Sequence, residues 1–136
     1  MLMALITYLD TNCLIALADA EMGRREKVLA LLDDKRRLFI YSRFLSFGTL
    51  SLAIYYRKPV RGGIFRAYFN LCTHISDNLP AILDETRRQI EQYGIISMDA
   101  CHIAAAVVGG AREFYTFEKP TKPMFRTKEI KVISLL

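Results

Sequence analysis

The sequence predicts a three-layer α/β/α domain built on a central, mostly parallel sheet. Three observations carry this. Short runs of apolar, β-branched and aromatic residues alternate with longer amphipathic segments along all 136 residues, the order expected when crossover helices join parallel strands. The first run is near-continuous rather than alternating, as in a strand buried on both faces. Hydrophobic residues make up 52% of the chain and charged residues 24%, which supplies a sizeable core and excludes general disorder. The length implies one domain, 1–136.

Leu5–Leu9 is the first strand, an apolar run that stops at Asp10. A helix follows over 12–20, Gly23 breaks it, and a second helix spans 24–34 with Val28, Leu29, Leu31 and Leu32 as its apolar stripe. After the basic turn 35–37, the aromatic and β-branched run 38–41 is a strand. Ser42 then opens a long apolar helix over 43–56 with Gly48 in its middle, where glycine costs about 1 kcal/mol relative to alanine. Pro59, Gly62 and Gly63 mark 57–63 as a loop. A short helical or irregular piece carries Ile64, Phe65, Tyr68 and Phe69, whose clustering fits core or dimer contact better than base stacking. Segment 71–75 is a strand or a loop.

Asp77, Asn78 and Pro80 read as a helix start. That helix runs to Tyr93 with Leu79, Ile82, Leu83, Ile90 and Tyr93 as its apolar face, and Gly94 ends it. Asp99 opens a small-residue helix over 99–108, closed by Gly109 and Gly110. Strand 113–117 ends at Glu118, a proline-containing loop covers 119–126, and 130–135 is the last strand.

The 19 Lys and Arg against 14 Asp and Glu give a formal charge of +5, a basic bias compatible with a polyanionic partner. Cys13, Cys72 and Cys101 lie in apolar contexts without a CxxC pair, so they read as reduced, mostly buried thiols in a cytoplasmic protein. With His74 and His102 as the two histidines, a thiolate–imidazole zinc site has little support. The N-terminal stretch lacks a basic leader region and reaches Asp10 too early for a signal peptide. The apolar segment 100–111 falls short of a membrane span. Neither a phosphate-binding GxxxxGK[ST] loop nor a GxSxG nucleophile turn occurs.

The chemistry concentrates in acids at element ends. Asp10 follows a strand, Asp99 opens a helix and Glu118 follows a strand, so all three project toward the carboxyl edge of one sheet, where open α/β sheets place their ligands. Carboxylates gathered without bases repel one another unless a cation lies between them, and hard oxygen donors suit Mg²⁺ or Mn²⁺. Singly, each acid has a bland explanation: a helix cap for Asp10, dipole complementarity for Asp99, a solvated turn for Glu118. Together in these topological places they favour a site.

Leu9-Asp10-Thr11-Asn12 with the apolar run after it, then 97–106 (SMDACHIAAA), then 115–120 (YTFEKP), resembles the PIN-domain family in order and length over essentially the whole chain. The resemblance includes toxin nucleases of the VapC type. It implies a PIN-like domain, a ribonuclease dependent on Mg²⁺ or Mn²⁺, RNA as substrate and an antitoxin protein as partner. By that resemblance Asp10, Asp99 and Glu118 are catalytic acids and metal ligands, with Glu118 where aspartate is more usual, and Asn12 and Thr116 line the pocket. The family's glutamate in the helix after the second strand has no counterpart: Gly48 takes its place. That departure implies weakened metal binding, and it leaves a second reading open, a degenerate fold that binds RNA or protein without turnover. A third reading uses the 43–56 helix in a homodimer. His102, three residues after Asp99, is structural, and His74 incidental. Arg57, Lys58 and Arg61 form one basic stretch, and Lys119 and Lys122 begin another beside Glu118. Both are candidate nucleic-acid contacts as well as ordinary solvated faces.

Overall fold

A computed structural model of the chain describes residues 4–136. Met1–Met3, at the start of the stretch weighed above as a leader, lie outside the described residues. The elements are β1 (Leu5–Leu9), α1 (Thr11–Asp19), α2 (Arg24–Asp33), β2 (Arg37–Ser42), α3 (Arg43–Phe47), α4 (Leu50–Tyr55), α5 (Pro59–Leu71), β3 (His74–Ser76), α6 (Leu79–Tyr93), α7 (Ser97–Val108), β4 (Glu113–Thr116), a 3₁₀ turn (Pro123–Arg126) and β5 (Lys131–Ser134). The sheet order is β3-β2-β1-β4-β5 and every pairing is parallel.

This order places β1 at the centre. The chain winds outward through β2 and β3, then returns to the other side of β1 for β4 and β5. The direction reverses between β1 and β4, and the crevice outside their carboxyl ends is where such sheets bind ligands. Side chains alternate across the sheet. Tyr8, Ile40 and Phe114 pack on one face with Ile103 and the alanines of α7. Their neighbours Leu9, Phe39 and Tyr115 pack on the other with Cys13, Leu14, Val28, Phe65 and Tyr68. Two cores on one sheet make the three layers that the sequence predicts.

Three local expectations are corrected. The 43–56 segment is two short helices, with Gly48 and Thr49 between them. Gly48 is the C-cap of α3 at φ −79° and ψ −6°, so no mid-helix penalty arises. Thr49 donates its hydroxyl to the Leu45 carbonyl at 2.7 Å, and its φ of −127° and ψ of −82° turn the chain out of the helix. The predicted loop 57–63 is instead the start of α5. Pro59 sits in its first turn, where a missing N–H costs nothing. Gly62 is buried where α5 crosses α4, and a Cβ there would lie 3.7 Å from Leu50 and 3.8 Å from Ala53. Finally, α6 buries Ile82, Glu85, Thr86 and Gln89 rather than its leucines. Gln89 Nε2 donates to Glu85 Oε2 at 2.9 Å, while Leu79, Leu83 and Ile90 are exposed.

Gly109 shows how tightly α7 closes on the sheet. A Cβ there would sit 2.6 Å from Ile40 Cδ1 and 2.9 Å from Ser76 Cβ. No helix among the described residues is long and apolar enough to cross a membrane.

Candidate active site at the carboxyl edge of the sheet

Asp10 leaves β1 in an extended conformation and caps α1. Its backbone N–H donates to the Tyr115 carbonyl, extending the β1–β4 ladder by one bond. One carboxylate oxygen accepts from the Thr11 N–H at 2.8 Å, and the other accepts from the Thr116 hydroxyl at 2.8 Å. The capping reading is therefore correct, and the same carboxylate lines a cleft at this edge of the sheet. Burial raises the Asp10 pKa; the bonds from Thr116 and Thr11 oppose the rise and the charge of Glu118 adds to it.

Asn12 and Thr116 tie α1 to the end of β4. Asn12 Nδ2 donates to Thr116 Oγ1 at 3.1 Å, and Asn12 Oδ1 accepts from the Phe117 N–H at 3.1 Å. Thr116 Oγ1 also accepts from the Glu118 N–H at 3.1 Å. One hydroxyl thus links the anchor of Asp10 to the backbone that carries Glu118. Asp99 enters from the first turn of α7 and is half-buried. Its pKa is raised by burial first and then by the charges of Asp10 and Glu118, with His102 and Lys122 pulling the other way.

Asp10, Asp99 and Glu118 line one cleft of about 510 Å³ together with Thr11, Asn12, Phe47, Gly48 and Met98. None of the three carboxylates forms an ion pair among the described residues. Gly48 faces Thr11: a Cβ at this position would lie 3.5 Å from Thr11 Cγ2, an ordinary contact. The backbone therefore admits a side chain, and the cleft is open where the resemblance expects a fourth acid. Thr116 stands behind Asp10 and Asn12, buried.

His102 borders the cleft without joining its chemistry. Its Nδ1 lies 2.8 Å from the Tyr8 hydroxyl, which lies 2.6 Å from Ser42 Oγ. Burial holds the His102 pKa down to about 4, so the ring is neutral at physiological pH and serves as a buried strut. His74 stands away from the cleft, on the Gly109 carbonyl at 3.3 Å. Cys13 is buried beneath the site, its Sγ 3.4 Å from the Tyr115 carbonyl, and burial pushes its thiol pKa up.

The basic candidates divide. Lys119 and Lys122 line a groove of about 610 Å³ that shares Glu118 with the acidic cleft. Arg24 lines that groove too, its guanidinium 4.9 Å from the centre of the Phe117 ring; sequence reading missed it because only the fold brings α2 beside the end of β4. Lys58 and Arg61 line a depression of about 290 Å³ that shares Gly48 and Ile15 with the cleft. Arg61 is paired with Asp19 at 2.6 Å. Arg57, in a left-handed conformation at φ 53°, lines a further hollow with Pro59 and Arg66 that shares no residue with the cleft. Thr11 and Phe47 also line the cleft, and nothing in their sequence context marked Phe47 as more than core.

The architecture matches solved structures over nearly its whole length. VapBC2 from Rickettsia felis, bound to a DNA fragment from its promoter, aligns with a TM-score of 0.72 at 17% identity, covering 96% of this chain and 98% of that one. The fold is that of the VapC-like PIN domain. A toxin–antitoxin complex from Klebsiella pneumoniae aligns with a TM-score of 0.68 at 17% identity, covering 94% and 96%. DNA-bound VapBC from Salmonella typhimurium gives 0.66 at 17% identity, covering 96% and 98%. No protein-family model and no curated protein matches the sequence. The PIN fold is thus read from backbone geometry at sequence identities that leave the chemistry to the residues.

The donor set agrees with a hard divalent ion in charge and atom type: carboxylate oxygens, mutually repelling, none of them in an ion pair among the described residues. It differs in closure. Among the described residues, no three His, Cys, Asp or Glu side chains converge tightly enough to ligate one ion together. The fit is to an ion that keeps several of its waters, as Mg²⁺ does.

Proposed function

We propose that this PIN-fold protein is a Mg²⁺- or Mn²⁺-dependent ribonuclease that hydrolyses RNA phosphodiesters, a toxin of the VapC kind. The observation that carries the reading is the set of acids Asp10, Asp99 and Glu118 lining one cleft at the strand-order reversal, none of them in an ion pair among the described residues. Burial with like charges makes ionised Asp10 and Asp99 costly, and a divalent ion removes that cost. Asp10, Asp99 and Glu118 would hold it in part through the waters the ion keeps, since the three do not converge tightly enough to ligate it together. A bound metal supplies a polarised phosphoryl oxygen and a water of lowered pKa.

The chain's own residues do the positioning. Thr116 and the Thr11 N–H hold both Asp10 oxygens in place. Asn12 fixes the 116–118 backbone and with it the origin of Glu118. Lys119 and Lys122, with Arg24, offer charge to phosphates leaving the cleft on the Glu118 side, and Lys58 and Arg61 do so on the Gly48 side. Arg57 faces elsewhere and is the weakest of the notional RNA contacts. The exposed Leu52, Ile54, Tyr55, Tyr56 and Val60 form an apolar face suited to a protein partner. The complexes among the structural neighbours support an antitoxin as a partner, and this face is the surface we assign to it, with a second copy of the chain as the alternative.

Gly48 favours one second reading, a binding module that has lost turnover. Cleavage of RNA in Mn²⁺ by the parent and by Gly48→Glu separates the two. Cutting by the parent, abolished by EDTA, establishes the enzyme. Cutting by Gly48→Glu alone establishes a vacated pocket whose natural role is binding. Cleavage that survives EDTA or the Asp10→Asn/Asp99→Asn double variant sinks the metal mechanism.

A further inference from the structure

The acidic cleft shares a wall with a second cavity. Phe44 and Phe47 of α3 border both. The second cavity measures about 300 Å³ and is completed by Arg43, Ser76, Asp77, Leu79 and Ile82. Its lining is mainly apolar, with Ile82 as a buried floor and the Phe47 ring standing 59% exposed at the boundary. The Ser76 hydroxyl is committed to the Ala105 carbonyl at 2.6 Å. Arg43 and Asp77 are exposed. Neither is in an ion pair among the described residues, and they do not pair with each other. A mostly apolar slot with a few polar groups at its edge is the usual form of a small-ligand pocket, and this one lies near the lower end of the usual range of about 300–1,000 Å³.

We propose that this slot is a base-recognition subsite that takes one unstacked guanine of the RNA strand whose phosphodiester lies in the acidic cleft. The inference rests on the ribonuclease reading and adds its sequence preference. Single-stranded RNA is read by splaying bases onto aromatic rings and bonding their edges. Phe47 stands between the place for the phosphate and the place for the base. The two charges select the base. An ionised carboxylate only accepts hydrogen bonds, and guanine offers it two adjacent donors, N1–H and the N2 amino group. A guanidinium matches guanine O6 and N7. Adenine sets an acceptor beside its donor on the edge that would meet Asp77, and uracil flanks its one ring N–H with carbonyls. Both leave the carboxylate facing lone pairs.

The test is fluorescence anisotropy with end-labelled pentanucleotides UUUUU, UUGUU, UUAUU and the inosine-centred UUIUU. Ca²⁺ in the buffer balances the charge of the cleft, and a gel checks that the RNA stays intact. The guanine oligonucleotide is expected to bind about tenfold more tightly than the uridine or adenine ones. Inosine, which lacks the N2 amino group, falls between. Asp77→Ala removes the guanine preference, and Phe47→Ala weakens both purine oligonucleotides; both side chains are exposed, so the variants fold. Equal binding of all four, or a guanine preference that survives Asp77→Ala, overturns the subsite. Cleavage of the same oligonucleotides in Mn²⁺ is run in parallel. Cutting without base preference overturns the subsite and leaves the ribonuclease standing. Oligonucleotides neither bound nor cut overturn both.

Discussion

The two ends of the sheet treat the same residue types in opposite ways. At the amino end, Arg37 opens β2 and Glu113 opens β4. Arg37 hydrogen-bonds Glu113 and Thr7 Oγ1 at 3.2 Å through Nη1, its Nε lies 3.2 Å from Asp34 Oδ2 in an ion pair, and its guanidinium lies 5.0 Å from the Tyr115 ring centre. Bonds from Arg36, with Arg37 nearby, hold the Asp34 pKa down to about 2. At the carboxyl end, Asp10 and Asp99 have raised pKa values because burial and like charges surround them. One edge is neutralised internally and serves stability. The other is left short of positive charge, an arrangement that makes sense where a ligand completes it.

Breaking each edge sharpens the contrast. The largest expected effect is on activity: Asp10→Asn/Asp99→Asn drops Mn²⁺-dependent RNA cleavage to background, while urea unfolding of the metal-free protein shows no loss of stability. The reverse result, lost stability with retained cleavage, would mean that the acids are structural. At the other edge, Arg37→Met leaves the partly buried Glu113 without its cation, while Arg36 still holds Asp34. It is expected to destabilise by about 3–5 kcal/mol in the same unfolding experiment, with cleavage per folded molecule unchanged.

His102 gives the next effect. Its pKa is lowered from 6.5 to about 4 by burial, so between these values the unfolded chain binds a proton that the folded chain does not. Stability from this group is complete above about pH 6.5 and falls as the pH drops toward 4. The loss is about 3 kcal/mol at most. It is read as the difference between the parent and His102→Gln in urea midpoints across that range, and parallel curves would show that the ring does not titrate as described. The smallest effect is Asp99→Asn alone, measured by thermal unfolding without metal. Removing one half-exposed repelling charge stabilises by a few tenths to about 1 kcal/mol, reduced by solvent screening. Added Mn²⁺ is expected to reverse the order, since it stabilises the parent more.

Within the candidate site, the legible part was the chemistry of single residues at element ends. Asp10 is marked by the run before it, and Asp99 by the small-residue helix it enters. The Asn12–Thr116–Asp10 lattice was suggested only by the PIN resemblance. The surroundings of the basic residues are not legible in the sequence: Arg61 pairs with Asp19, Arg57 lines a hollow apart from the cleft, and Arg24 arrives from a helix far off in sequence. Gly48 was located correctly, but its setting was wrong, because the helix around it ends there.

By itself the sequence determined β1, β2, α2, the caps at Asp10, Asn78 and Gly94, and the alternation that makes an α/β sheet. These depend on the period of apolar side chains and on backbone groups satisfied by near neighbours, so local residues suffice. Tertiary structure decided the strand order β3-β2-β1-β4-β5, the break at Gly48 and Thr49, the helix that begins at Pro59, and the polar face that α6 buries. For three of them the physical reason is packing between elements: β4 pairing with β1, Gly62 letting α5 lie on α4, and the alanines of α7 packing with Ile82 of α6. Such contacts leave no trace in the spacing of neighbouring residues.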